Sequence, residues 1–122
     1  MKNVLIIEDD QALLKALVEK FTHEGFVVLE AHDGEEGLAK ALEEHPAVIL
    51  LDIVMPKMDG ITMLGKLRED VWGKEAKVIL LTNLSTADRV SEAVQLGSYE
   101  YLVKTDWKIE DVVKKVREKI GS

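Results

Sequence analysis

Five short apolar runs alternate with longer segments of helical periodicity along this 122-residue chain. Runs of this length suit strands and are too short for buried helices. Strict alternation with short connections implies right-handed crossovers and a parallel sheet covered by helices on both faces. The sequence therefore predicts a single α/β domain over residues 1–122, with strands near 4–7, 26–30, 48–51, 77–81 and 99–103.

Helix start and stop signals lie between the runs. Asp10 is a candidate N-cap, the pair Asp33 and Glu36 has the spacing of a capping box, and Gly25 suits a left-handed helix end. Asp59 and Gly60 open a third predicted helix, which is expected to end near Trp72 and Gly73. A fourth is predicted over 85–96, and a fifth has the apolar stripe Ile109, Val112, Val113, Val116 and Ile120.

Asp52 comes directly after the third run and before a turn with Pro56 and Gly60. A fully apolar run bounded by turn residues is typical of a central strand in a parallel sheet. Ligands of such sheets bind at the carboxyl ends of the strands. This position makes Asp52 a candidate functional residue.

Polar residues also follow the other predicted strands. Glu8 and Asp9 follow the first, Thr82 the fourth and Lys104 the fifth, so all should share one edge of the sheet with Asp52. Two carboxylates about 4 Å apart repel by roughly 4 kcal/mol at an effective dielectric near 20, so the group attracts a cation. Carboxylates with open positions suit Mg²⁺. A lysine and a hydroxyl beside the central aspartate suit the oxygens of a phosphoryl group on that residue.

Composition excludes several classes of function. The chain has no cysteine, which excludes thiol catalysis and Cys-type zinc sites. Its net charge of -7, from 16 basic and 23 acidic residues, opposes direct binding to nucleic acid. No apolar run approaches the roughly 20 residues that span a bilayer, and the first strand begins without a signal peptide, so we expect a cytoplasmic protein that does not bind membranes.

Over its whole length the chain resembles the receiver domain of two-component response regulators, the family of the chemotaxis response regulator. The matching residues are Glu8 and Asp9, Asp52 with Met55-Pro56 and Asp59-Gly60, Thr82, Tyr101 and Lys104. The resemblance implies a flavodoxin-like (βα)5 three-layer sandwich with a five-stranded sheet of order 2-1-3-4-5.

The resemblance also implies a function. Asp52 would accept a phosphoryl group from a histidine kinase or a histidine phosphotransfer protein, in a reaction that the receiver itself catalyses without being a conventional enzyme. Mg²⁺ would be bound by Asp9, Asp52 and the Val54 carbonyl, with help from Glu8.

The same resemblance assigns the remaining residues of the constellation. Lys104 would hold one phosphoryl oxygen, Thr82 would bond another and move toward it, and Tyr101 would turn inward behind Thr82. The output surface would then be the fourth helix, fifth strand and fifth helix, from Asp88 to Val94 and around Tyr101 and Trp107. We expect a stand-alone receiver that signals by binding an unidentified downstream protein.

Two positions depart from the family pattern. Lys104 is followed by Thr105, where the family usually has a cis proline, and a cis bond before a non-proline residue costs about 2.5 to 4 kcal/mol. Asn83 follows Thr82, where a small residue is usual. The apolar residues Val54 and Leu84 also flank the expected path of the hydrolytic water, which predicts slow loss of the phosphoryl group.

Three other functions compete with this interpretation. An aspartyl phosphatase would need Asp-x-Asp, but the second position here is Val54. A flavodoxin-like nucleotide carrier would place phosphate at the first turn, where Glu8, Asp9 and Asp10 repel it. A degenerate receiver that acts only by binding proteins is disfavoured by the intact set of acids, threonine and lysine.

Overall fold

The sheet has five parallel strands. This computed structural model describes residues 2–82, 95, 100–103 and 108–121, with the backbone alone at 82, 100, 101 and 103. The strands are β1 (Asn3–Ile7), β2 (Val27–Ala31), β3 (Val48–Asp52), β4 (Val78–Thr82) and β5 (Glu100–Val103). Their order is β2-β1-β3-β4-β5, and every neighbouring pair is parallel. The predicted α/β class and strand order are confirmed.

The described α-helices are α1 (Gln11–His23), α2 (Gly34–Glu44), α3 (Gly60–Arg68) and α4 (Ile109–Ile120). Asp10 caps α1 by accepting hydrogen bonds from the amides of Ala12 and Leu13, and Gly25 follows that helix with φ +93°. The predicted caps and the left-handed glycine are confirmed. Gln95 is helical, and the rest of the helix predicted over 85–96 lies outside the described residues.

The prediction that the third helix runs to Trp72 and Gly73 is wrong. α3 ends at Arg68, and a short 3-10 turn covers Gly73–Glu75. Arg68 Nη1 donates to the carbonyls of Gly73 at 2.7 Å and Ala76 at 2.8 Å, which turns the chain back toward β4. A cation at the end of a helix that binds carbonyls of the next segment favours this early stop.

The capping box predicted at the start of α2 is shifted by one residue. Asp33 Oδ1 accepts from the Glu36 amide at 2.8 Å, as predicted. Glu36 Oε1, however, accepts from the amide of His32 at 2.7 Å instead of that of Asp33. This hydrogen bond lowers the pKa of Glu36, although partial burial opposes the shift. The first turn of α2 is therefore tied to the end of β2 as well as capped.

Two hydrophobic clusters lie on opposite faces of the sheet. The first joins residues of α2 and α3 to alternate strand residues such as Ile49 and Leu51. The second joins residues of α1 and α4 to Val48 and Leu50. Since β3 contributes to both clusters, all five of its residues are buried, and the predicted three-layer arrangement is confirmed. Within the described parts of the chain, no helix is long and apolar enough to cross a bilayer.

Candidate functional site: an acidic cluster at the carboxyl edge of the sheet

Three carboxylates meet at the carboxyl ends of β1 and β3. Ile7 pairs with Leu51 in the parallel register, so the residues that follow, Glu8 and Asp52, lie side by side. One oxygen from each of Glu8, Asp9 and Asp52 lies within 4.8 Å of the others. Glu8 is fully buried and Asp52 is 4% exposed, whereas Asp9 is exposed. The structure thus brings together the three predicted acids, with one open side.

The chemistry of these donors fits a small hard cation. Like charges about 5 Å apart repel by roughly 3 kcal/mol at an effective dielectric near 20, and burial of two of them adds to that cost. All three residues offer oxygen ligands, and the exposed side at Asp9 leaves room for water. Mg²⁺ prefers this combination of few carboxylates and retained waters. The cluster could therefore hold Mg²⁺.

The side chain of Glu8 is also held by a hydrogen bond within the connection from β1 to α1. Its Oε2 accepts a hydrogen bond from the Asp10 amide at 3.1 Å, immediately before α1 begins. Asp10 in turn caps α1, so the acids of this connection are oriented by the start of the helix. A short strand-to-helix connection therefore places a buried carboxylate beside Asp52.

The loop over 53–59, which leads away from Asp52, is itself tightly folded. Met58 N donates to the Pro56 carbonyl at 2.7 Å around Lys57, whose φ is +65°. This is a γ-turn, a rare and strained geometry for a residue with a side chain. Val54, whose carbonyl is a predicted ligand, is 51% exposed and follows Asp52 by two residues. A half-exposed valine therefore lies near the start of the loop that follows the acid at the end of β3.

Gly60 closes this loop against the end of β3. Its amide donates to the Ile53 carbonyl at 2.7 Å. A Cβ at this position would lie 2.2 Å from the Asp52 carbonyl oxygen and 2.9 Å from Ile53 Cα. Only glycine fits such an approach to a backbone carbonyl. Sequence reasoning identified Gly60 as part of a helix start, but its main constraint is this contact.

Sequence reasoning missed a second glycine beside the site. Gly34, at the start of α2, would place a Cβ 2.2 Å from the Met58 carbonyl oxygen. The neighbouring Asp33 has Oδ2 3.7 Å from Lys57 Nζ. The signal was weak, because glycine is about 1 kcal/mol worse than alanine in a helix interior but is ordinary directly after an N-cap.

The other predicted site residues are only partly described. The backbone of Thr82 ends β4, one residue beyond the pairing of Asp52 with Leu81, so it lies at the edge that carries the acids. The Tyr101 backbone pairs with Leu80. The side chains of both residues lie outside the described structure, as do Lys104 with Thr105, Asn83, Leu84, the segment from Asp88 to Val94, and Trp107. Their predicted roles therefore stay predictions.

The fold and the site define a class: a flavodoxin-like α/β protein with an acidic, cation-attracting cluster at the carboxyl edge of its sheet. The sequence matches the response regulator receiver domain over residues 4–117. The chain belongs to the response regulator receiver family. This match favours the receiver interpretation over the aspartyl phosphatase and the nucleotide carrier considered above.

A similar protein of known family is also a response regulator. The Response regulator ArlR of Staphylococcus aureus is 33% identical over 118 residues, which cover 96% of this chain and 52% of that protein. The chain spans about half the length, or less, of the first curated relatives that it matches. The similarity therefore concerns only part of these longer proteins.

Solved structures share the whole architecture. A CheY-like response regulator receiver domain protein from Methanospirillum hungatei matches with a TM-score of 0.90 and 29% identity, covering 99% of this chain and 94% of that one. The CheX-CheY-BeF3-Mg+2 complex from Borrelia burgdorferi matches with a TM-score of 0.84 and 35% identity, covering 96% and 87%. The described fold is thus that of receiver domains.

Proposed function

We propose that residues 1–122 form one receiver domain of a two-component system, in which Asp52 accepts a phosphoryl group from the phosphohistidine of a histidine kinase or phosphotransfer protein. A carboxylate oxygen of Asp52 attacks phosphorus, the phosphorus–nitrogen bond breaks, and the imidazole leaves and takes up a proton. The observation that carries this proposal is the cluster of Glu8, Asp9 and Asp52 in a member of the receiver family.

The chain's own residues have distinct tasks in this reaction. Asp52 is held at the end of a fully buried strand, which fixes the direction of its attack. Asp9, Asp52 and the Val54 carbonyl would hold Mg²⁺, and the buried carboxylate of Glu8 would add negative charge beside them. Bound Mg²⁺ supplies positive charge against the charge that develops on the transferred group.

Thr82 and Lys104 are assigned by their match to the family motif. Lys104 would pair with one phosphoryl oxygen and Thr82 would donate a hydrogen bond to another. Position supports the assignment of Thr82, because the end of β4 lies next to the end of β3 in the sheet. The movement of Thr82 toward the phosphoryl group, followed by Tyr101, would change the output surface.

Phosphorylation is expected to depend on Mg²⁺. Incubation with acetyl phosphate and Mg²⁺ should add the mass of one phosphoryl group, and EDTA should prevent the addition. Replacing Asp9 with Asn should lower the rate at least about tenfold at low Mg²⁺, with partial recovery at high Mg²⁺, because one ligand charge is lost. Intact-mass spectrometry over time measures both effects. The matched control is Glu69→Gln, at an exposed acid beyond α3, which should behave as the parent. A gain of phosphate mass that is equal with and without EDTA would refute the dependence on Mg²⁺.

The phosphoryl group is expected to be long-lived. Val54 is half exposed two residues after Asp52. By resemblance to the family, this position flanks the path of the attacking water, so an apolar group stands where a polar one could orient it. Val54→Asn combined with Leu84→Glu should speed dephosphorylation about tenfold by positioning that water. Loss of phosphate mass after removal of the donor gives the rate. Val71→Asn, at a valine that is 90% exposed in the turn after α3, controls for a general effect of polarity. A double variant that decays as slowly as the parent would contradict the argument.

The output surface is proposed to comprise the segment from Asp88 to Val94, Tyr101 and Trp107. Thr82 and Lys104 lie at the ends of elements that border this surface, so a phosphoryl group would bias both connections. Beryllofluoride with Mg²⁺ should change amide exchange mainly over 83–107 and the start of α4. Mass spectrometry of peptic fragments would locate the changes. Changes confined to α1 and α2 would place the output elsewhere.

Kinase docking is proposed on α1, next to the acidic cluster, with Gln11, Leu14 and Lys15 in contact. The groove between α1 and the end of β2 is lined by these residues together with Glu30 and His32, which places an open concave surface beside the site. The downstream partner is proposed to be a protein that binds the switched surface. No direct contact with nucleic acid or a membrane is proposed.

A further inference from the structure

The first turn of α2 lies directly against the loop that leads from Asp52 to α3. A Cβ on Gly34 would lie 2.2 Å from the Met58 carbonyl oxygen and 2.9 Å from its carbonyl carbon. Lys57 Nζ lies 3.7 Å from Asp33 Oδ2, which adds an electrostatic contact at the same place. Because no side chain separates Gly34 from Met58, the backbone of α2 limits where the loop backbone can lie.

Of the two elements in contact, α2 is the more firmly held. Gly37 packs against the Ile7 side chain, where an added Cβ would lie only 2.4 Å from Ile7 Cδ1, and Ala41 is fully buried in the same cluster. On the loop side, Met55 is buried in this cluster, but Pro56 and Lys57 are exposed and Met58 is only partly buried. A conflict at Gly34 is therefore relieved by displacement of the loop.

Displacement of Met58 would be passed along a short, tightly hydrogen-bonded loop. The γ-turn joins Met58 to Pro56, and the Gly60 amide binds the Ile53 carbonyl, so few torsions are free to absorb a shift. Val54 lies between these two hydrogen-bonded points. Its carbonyl is the one proposed ligand that does not come from the end of a strand.

We infer that the Asp33-Gly34 turn of α2 is a positioning element for the Val54 carbonyl, and through it for the affinity of the acidic cluster for Mg²⁺. Gly34 keeps the loop seated by the absence of a side chain, and Asp33 keeps the turn formed by capping α2. The inference rests on the proposed function in taking the Val54 carbonyl as a metal ligand.

The direct test is metal binding by Gly34→Ala. Mn²⁺ serves as a paramagnetic probe of the Mg²⁺ site, so electron paramagnetic resonance gives its affinity and competition gives that of Mg²⁺. Weakening of about tenfold is expected, as for other residues that support metal ligands. Phosphorylation by acetyl phosphate should return toward the parent rate at saturating Mg²⁺. This split between affinity and maximal rate is not expected from general destabilisation.

Gly73→Ala is the matched control. Its Cβ would lie 2.0 Å from the Leu67 carbonyl oxygen, which is the same kind of conflict, at the opposite edge of the sheet before β4. It should leave Mn²⁺ affinity unchanged. A folded Gly34→Ala variant with parental affinity, or an equal loss in Gly73→Ala, would overturn the inference.

A second pair of variants decides the question if Gly34→Ala does not fold. Asp33→Ala removes the cap and should weaken Mn²⁺ binding several-fold, whereas Asp33→Asn keeps an N-cap and should rescue the affinity. Equal affinities of these two variants would count against the positioning role. Metal binding is measured without a phosphodonor. A parent protein that binds Mn²⁺ but never takes up phosphate would therefore refute the proposed function and leave the positioning inference open to its own test.

Discussion

Replacing Asp52 with Asn is expected to abolish phosphate uptake and, without Mg²⁺, to stabilise the protein. The amide keeps the shape of the side chain but is a far weaker nucleophile, so no phosphoryl mass should appear. It also removes one of three charges that lie within 4.8 Å of one another, two of them buried. Relief of this repulsion should raise the free energy of unfolding by about 1 kcal/mol.

Mg²⁺ separates these two consequences of the substitution. Bound cation stabilises the native parent by mass action, so the parent should gain stability with Mg²⁺ and the variant much less. Urea unfolding with and without Mg²⁺ measures this, and intact mass reports phosphorylation. Glu69→Gln also removes one negative charge, but at the opposite edge, and should change neither result. An Asp52→Asn protein that still gains a phosphoryl group would remove Asp52 from its proposed role.

Replacing Gly60 with Ala is expected to damage both stability and the site. The added Cβ would lie 2.2 Å from the Asp52 carbonyl oxygen, and neither a central strand nor the capped start of α3 can move without disturbing Asp52. Forcing an extra methyl into a tightly packed place costs about 1–3 kcal/mol. We expect about 2 kcal/mol lost in urea unfolding and phosphorylation at least about tenfold slower, measured by intact mass.

Gly25→Ala is the comparison for Gly60→Ala. Gly25 has φ +93°, but no atom lies within 4 Å of the position that a Cβ would take, so only backbone strain is introduced. This should cost roughly 1 kcal/mol and leave the rate of phosphorylation unchanged. If Gly60→Ala accepts phosphate at the parental rate, the end of β3 is less rigidly coupled to α3 than the contacts indicate.

Much of the described fold followed from local pattern, because most of the described elements agree with their own local signals. The apolar runs form strands as predicted, and Asp10, Asp33 and Asp59 are the N-caps of α1, α2 and α3. The end of the third helix did not follow, because it depends on Arg68 reaching carbonyls five and eight residues ahead. Periodicity contains no information about such a contact.

The acidic cluster could be predicted for a topological reason. Parallel strands bring their carboxyl ends to one edge, so Glu8, Asp9 and Asp52 had to lie near one another once the sheet was predicted. The support of the loop over 53–59 could not be predicted in the same way. The contact between Gly34 and Met58 joins two connections that are distant in sequence, and a glycine beside an N-cap has an ordinary local explanation.

The two hydrophobic clusters separate the protein's surfaces into two halves that can change independently. Helices α1 and α4, which border the proposed docking and output surfaces, share one cluster, whereas α2 and α3, which support the loop beside Asp52, share the other. Substitutions on opposite faces with no shared contacts are close to additive in their effects on stability. Substitutions in α1 and α4 should therefore change stability independently of substitutions in the packing that supports the loop over 53–59.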